Sequence, residues 1–190
     1  MFPRTASIDQ LEQVHELNRL FLTFLQCCVR DKVDCLGLPN GARPALCSAS
    51  GVLLEAVAEF PRALFQISLD DRGAADVRDL KSRVQSARQS MNLTILLCAW
   101  TFSRQSVYQA RFLLGLEAHA IQQLRTLQLT DLQRFALAPQ LVLCAFPHRE
   151  WLWIELLTET RPEARRQLAL IALQPGLEQE WPAGKSAQLS

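Results

Sequence analysis

The sequence predicts an all-α protein built as two tandem multi-helical repeats packed as a pseudo-dimer. One observation is a repeat at an offset of 78 residues: laid over each other without a gap, residues 20–61 and 98–139 share 11 identities in 42 positions, where unrelated sequences of this composition give roughly 3. The matched positions include Thr23, Phe24, Leu36-Gly37-Leu38, Leu46, Leu54 and Pro61, which fall on Thr101, Phe102, Leu114-Gly115-Leu116, Leu124, Leu132 and Pro139. A second observation is apolar spacing in steps of three and four over most of the chain, the helical period. The third is that each long apolar run stops at a glycine, Gly37 or Gly115, as helices do. Two copies suit a single two-fold axis and are too few for a stacked solenoid.

The first helix starts at Ser7 or Asp9 as N-cap. It carries Leu11, Val14, Leu17, Leu20, Phe21, Phe24 and Leu25 on one side as it runs towards Gly37 and Pro39. A short helix follows over Ala42 to Ser48, a Ser-Ala-Ser-Gly turn, then a helix from Val52 to Phe60 ended or bent by Pro61. The segment after Pro61 alternates weakly and fits a short strand or a helical turn. Asp70-Asp71-Arg72-Gly73 marks a loop, and Ala75 to Ser90 reads as a charged helix with Val77, Leu80 and Val84 on one side. The second copy replays the plan: a long helix over Leu93 to Leu114, a helix over Glu117 to Leu127, and one over Asp131 to Ala138. Thr130 is its expected N-cap, with Gln133 completing a capping box. Leu141 to Phe146 matches the ambiguous segment of the first copy. An apolar stretch, Trp151 to Leu157, and an amphipathic helix from Arg161 or Pro162 to Gln174 close the fold. The expected units are thus a first repeat over 7–90, a second over 91–176, and a flexible tail over 177–190.

Charge excludes a bulk attraction to nucleic acid or anionic membrane, since 20 basic residues face 19 acidic ones. The balance is uneven, however: Ile95 to Arg149 holds Arg104, Arg111, Arg125, Arg134 and Arg149 against only Glu117 and Asp131. Met1-Phe-Pro-Arg-Thr-Ala-Ser lacks the regions of a secretory leader, and every apolar stretch is interrupted before the ~18 residues a membrane span needs. Six cysteines without a C-x-x-C pair read mostly as small buried hydrophobes in a reducing cytoplasm, and adjacent Cys27 and Cys28 point apart on a helix, which argues against zinc. His15, His119 and His148 have no partner at the spacing of a triad or metal site, and no glycine-rich phosphate loop exists, so neither an enzyme nor a cofactor is expected.

Two surface candidates remain. Each copy pairs two short helices across a turn, the outline of a helix-turn-helix, and in the second copy Gln128, Thr130, Gln133 and Arg134, with Arg125 on the preceding helix, sit where side chains reach DNA. The first copy places Glu55 and Glu59 there, which repel phosphate. The same outline also fits two short helices packed on a long one. Trp151 and Trp153, two apart on a helix, cannot share one narrow face. Either one is core and the other a partner-binding anchor, or both pack inside.

The second copy resembles the flagellar transcriptional activator subunit FlhD. The resemblance rests on Asn92-Leu93 opening a leucine-rich helix, Leu114-Gly115 closing it, then Leu124, Leu127, Leu129, Leu132, Ala136 and the Gln140-Leu141-Val142 run. The first copy is similar in outline through Leu17-Asn18, Val29-Arg30-Asp31-Lys32 and Asp70-Asp71, but is about one helical turn shorter between Asn18 and Gly37 than the family plan. The resemblance implies an intertwined helical dimer that acts as a transcriptional coactivator with a zinc-carrying FlhC-type subunit, which contributes much of the DNA binding, and recruits RNA polymerase. Ordinary members are single units, whereas two in tandem imply an internal pseudo-dimer, open to further oligomerisation. Cys144 lies one position from the family's subunit-linking cysteine, so that disulfide is not carried over. The expected function is a bacterial cytoplasmic regulator of flagellar or related genes that works through a protein partner, with DNA contact by the second repeat. The alternative is an adaptor or antagonist that sequesters a regulatory partner without touching DNA.

Overall fold

The computed structural model describes residues 8–69 and 82–173. Among the described residues the chain forms α1 (Ile8–Asp31), α2 (Ala42–Ser48), α3 (Gly51–Ala58), β1 (Phe65–Ile67), α4 (Ser82–Gln105), α5 (Val107–Leu114), α6 (Ala118–Thr126), α7 (Leu129–Phe135), β2 (Val142–Cys144), α8 (Glu150–Thr158) and α9 (Pro162–Leu173). The fold is all-α in class, with one two-stranded ladder. Ser7, the loop expected at 70–73, the first turns of the helix expected from Ala75, and the tail expected over 177–190 lie outside the described residues.

Helices α1 and α4 pack on each other and form the spine. The spacing of α1 explains this: Val14, Leu17, Phe21, Leu22, Leu25 and Cys28 recur in steps of three and four and are buried, as are Met91, Ile95, Leu96, Ala99 and Phe102 of α4. Each long helix carries its own pair of short ones, α2 and α3 on α1, α6 and α7 on α4. A buried asparagine fastens each pair. The Asn18 amide donates to the carbonyls of Ala58 and Phe60 at 3.2 and 3.3 Å, and the Asn92 amide donates to those of Ala136 and Ala138, both at 3.1 Å. The accepting carbonyls are 78 residues apart, but the two asparagines are 74 apart. The gapless overlay is therefore one helical turn out of step within the long helices.

The four additional residues of the second half are absorbed where α4 gives way to α5. The single helix expected over Leu93 to Leu114 is broken at Ser106, whose backbone is extended and whose hydroxyl accepts from the Gln109 N–H. Further corrections concern helix ends. Helix α1 stops at Asp31 rather than near Gly37, because Lys32 takes a left-handed conformation and the Val33 N–H returns to the Cys28 carbonyl at 3.0 Å, closing the helix. Gly115 does end α5 as expected, at φ +68°. Helix α7 is capped by Gln128, not Thr130: the Gln128 N–H donates to the Asp131 carboxylate at 3.0 Å, and Thr130 already lies inside the helix. Nor does Asn92 open its helix, which begins at Ser82. The expected unit boundary between residues 90 and 91 falls within α4.

The ambiguous segment after Pro61 and its counterpart are β1 and β2, paired antiparallel with Phe65 opposite Cys144 and Ile67 opposite Val142. The ladder joins the first half to the second, and one hydrophobic core runs through both. Phe21 of α1 meets Phe65 of β1 with ring centroids 5.6 Å apart, while Phe102 of α4 and Trp153 of α8 are fully enclosed in the same cluster. Arg88 of α4 is also buried. It stacks on Phe24 and donates to the carbonyls of Asp34 and Pro139.

Candidate functional site

The expected DNA-facing residues occupy the outer side of α6 and α7. Arg125 lies in the last turn of α6, Gln128 caps α7, and Thr130, Gln133 and Arg134 lie on α7; all five are exposed. Both helices rest on α4, and the Trp100 indole of α4 donates to the Leu127 carbonyl at 3.1 Å, fixing the link between them. The positive charge of this half is partly engaged. Arg134 lies 3.8 Å from the Asp131 carboxylate, Arg104 stacks over the Trp100 ring at 4.6 Å, and Arg149 donates to the Ala172 carbonyl at 3.1 Å while covering Phe146. Arg149 is thereby a structural tie to α9 rather than a surface charge. In the first half, Glu55 of α3 accepts from Arg19 at 2.6 Å, so that carboxylate is partly neutralised, whereas Glu59 lies at the end of α3.

The tryptophans separate by burial. Trp153 is fully buried and its indole donates to the Ala145 carbonyl at 2.9 Å. Its expected partner-binding role is corrected on that ground, since a side chain without accessible surface meets no partner. Trp151, half-buried at the start of α8, keeps an accessible face. Sequence reasoning missed the most exposed large apolar pair. Tyr108 and Phe112 sit one turn apart on α5, 76% and 64% exposed. Reading 93–114 as one helix concealed them, because the break at Ser106 re-aims α5. The Ser106-x-x-Gln109 pattern was the available signal.

Three of the cysteines, Cys28, Cys35 and Cys144, lie near one another in the core, where the Cys144 thiol donates to the Cys35 carbonyl at 3.7 Å. Cys28, Cys35 and Cys144 are buried, Cys98 is half-buried, and Cys27 and Cys47 are exposed. Burial pushes the Cys28 thiol up to about 12 and raises Cys144 well above its ordinary value, so both stay protonated and unreactive. Among the described residues no three His, Cys, Asp or Glu side chains are grouped to hold a metal ion. His119 lies 3.2 Å from Glu117 on the surface, and His15 is half-buried on α1 with its Nε2 enclosed and unpartnered. No described helix is long and apolar enough to cross a membrane.

Together these features define a mostly helical protein with an exposed polar face on two short helices. The family model described as Flagellar transcriptional activator (FlhD) matches residues 80–176, just over half of the chain. The chain therefore belongs to the FlhD family, a family of transcriptional regulators rather than of enzymes. No curated protein and no solved structure matches it. The matched region takes in α4 to α9 and starts ahead of residue 91, in keeping with a helix that runs unbroken through that position.

Proposed function

We propose that this protein is a cytoplasmic regulator of flagellar or related genes whose two halves act as an internal FlhD-type pseudo-dimer. The family match over 80–176 carries the regulatory part of this reading. The internal duplication draws support from the paired asparagines, which bind carbonyls 78 residues apart in equivalent helix pairs, and from the antiparallel β1–β2 ladder, a pairing compatible with a local two-fold axis. Regulation runs chiefly through a protein partner, an FlhC-type subunit or the RNA polymerase complex. Tyr108 and Phe112 of α5 and the accessible face of Trp151 are the contact candidates, being aromatic and exposed. Arg125, Gln128, Thr130, Gln133 and Arg134 make the DNA contact, which supplements the partner's own.

Co-expression with an FlhC-type subunit, followed by size exclusion and promoter-DNA shift assays, tests this reading. Retention of both partner and DNA is expected, with the free chain running near its 21.5 kDa mass. No complex and no DNA retention, alone or together, removes the transcriptional role. A second reading, an adaptor that sequesters a partner away from DNA, is favoured by the Asp131 carboxylate beside Arg134 and by the carboxylates of Glu55 on α3 and Glu59 at its end. Replacing Arg125 and Arg134 by alanine separates the two. Loss of promoter binding with the partner retained removes the adaptor reading.

A further inference from the structure

The bond that ties α4 to the α6–α7 link has a counterpart in the first half. The Gln26 amide of α1 donates to the Ala49 carbonyl at 3.2 Å, as the Trp100 indole donates to that of Leu127 at 3.1 Å. These donors are 74 residues apart and the acceptors 78, the register of the paired asparagines. The two donors differ in what else they provide. Gln26 divides its amide between the Leu46 and Ala49 carbonyls, whereas half-buried Trp100 also offers an aromatic face. Arg104, in the last turn of α4, lies over that face at 4.6 Å. Its counterpart on α1, Arg30, stacks on no ring among the described residues.

Stacking occupies the flat face of a guanidinium and leaves the N–H donors along its edge free. Arg104 is exposed and, like Arg125 in the last turn of α6, pairs with no carboxylate among the described residues. Asp131 of α7 is already held by the Gln128 N–H and by Arg134. The link at Leu127 thus has an open cation on each approach: Arg125 just before it in α6, and Arg104 over the ring that bonds it. We propose that Arg104 binds a phosphate of the DNA backbone beside α7, with Trp100 as its positioning residue, a role that rests on the DNA contact assigned above to α6 and α7. A planar fork held in place in advance suits the bidentate geometry of a phosphate and loses little side-chain freedom on binding it. Such a contact fixes how the duplex lies against α7 without reading its sequence.

The complex with an FlhC-type subunit is to be titrated with a flagellar-promoter duplex and with a scrambled duplex of equal length, from about 50 to about 200 mM salt. Arg104→Ala is expected to weaken binding of both about fivefold and to make the slope of log K against log salt shallower by about 1, since a phosphate contact is blind to sequence. Arg104→Lys should keep the slope and recover part of the affinity. Trp100→Gln copies Gln26 and so keeps a donor for the Leu127 carbonyl. It is expected to weaken binding about threefold with the slope unchanged, and to weaken it no further in the Arg104→Ala background. Unchanged slope and affinity for Arg104→Ala overturn the proposal, as does a loss confined to assembly with the FlhC-type subunit, which would make Arg104 a protein contact. Full additivity of Trp100→Gln and Arg104→Ala also overturns it, because Trp100 then acts apart from Arg104. A parent complex that binds neither duplex would remove the DNA contact of α6 and α7 together with this one, whereas parent binding that survives Arg104→Ala unchanged removes the phosphate contact alone.

Discussion

Asn18 and Asn92 have the same task in the two halves but not the same load. The Asn18 amide donates to the carbonyls of Ala58, Phe60 and Arg62, and its Oδ1 accepts from the Leu64 N–H at 2.8 Å, whereas the Asn92 amide has two carbonyls and its buried Oδ1 has no partner. At ~1 kcal/mol per bond, plus the cost of buried groups left unpaired, Asn18→Ala should destabilise by about 3–4 kcal/mol and Asn92→Ala by about 1–2. Urea titration of the two variants measures the difference, and equal losses would refute the unequal roles. His15 makes a different demand. Burial lowers its pKa below the ordinary 6.5 against the raising influence of Glu59, Glu12 and Glu16, and its Nε2 lacks a partner. A depressed folded-state pKa means that the unfolded chain takes up the proton first as pH falls. The stabilisation is thus present above the unfolded value and is lost as pH falls through the folded one. Between about pH 7 and about pH 5 the parent chain should lose more stability than His15→Leu; parallel curves would show that His15 titrates alike in both states.

Among elements, the α5–α6 turn is the most constrained. Gly115 combines φ +68° with a position where a Cβ would collide with the guanidinium of Arg62, a half-buried side chain whose pKa is lowered by burial. Gly115→Ala therefore meets both backbone strain and a clash, about 1–3 kcal/mol together. Adding Arg62→Ala should recover only the clash, so the double variant is expected to be less destabilised than the sum of the single ones, by 0.5 kcal/mol or more in thermal unfolding. Strict additivity would place the whole cost in the backbone. The turn also marks what could be read in advance. Gly115 was legible as a stop because a glycine after an apolar helix has few other uses, and β1 and β2 were legible only as a matched pair of ambiguous segments, since three-residue strands leave almost no periodicity. Gly37 carries the same local signal as Gly115, yet Lys32 had already closed α1, a non-glycine left-handed cap that propensity disfavours and tertiary packing selects. On the surface, the exposed positions of α6 and α7 were legible from spacing. The burial of Trp153 was not, because it depends on an acceptor, the Ala145 carbonyl, that only folding brings near.

For the molecule as a whole, the question is whether two repeat-like halves unfold as one body. The contacts favour one. Helices α1 and α4 are packed together, and β1 and β2 supply each other's ladder. The Ala63 N–H donates to the Leu113 carbonyl at 2.7 Å, and the Cys144 N–H to the Leu36 carbonyl at 2.7 Å, each crossing from one half to the other. Neither half can keep its strand paired or its long helix covered alone, and exposing that shared apolar face would cost far more than the ~5–15 kcal/mol by which a domain is stable. Calorimetry should therefore show a single transition with equal van't Hoff and calorimetric enthalpies. Phe21→Ala in α1 and Phe102→Ala in α4, both fully buried, should each cost about 3–5 kcal/mol. Each should also raise hydrogen exchange equally in α3 and α7, although α3 lies in the first half and α7 in the second. If Phe21→Ala loosened α3 while leaving α7 protected, the halves would be separable modules that merely touch, and the internal pseudo-dimer would lose the shared core on which it rests.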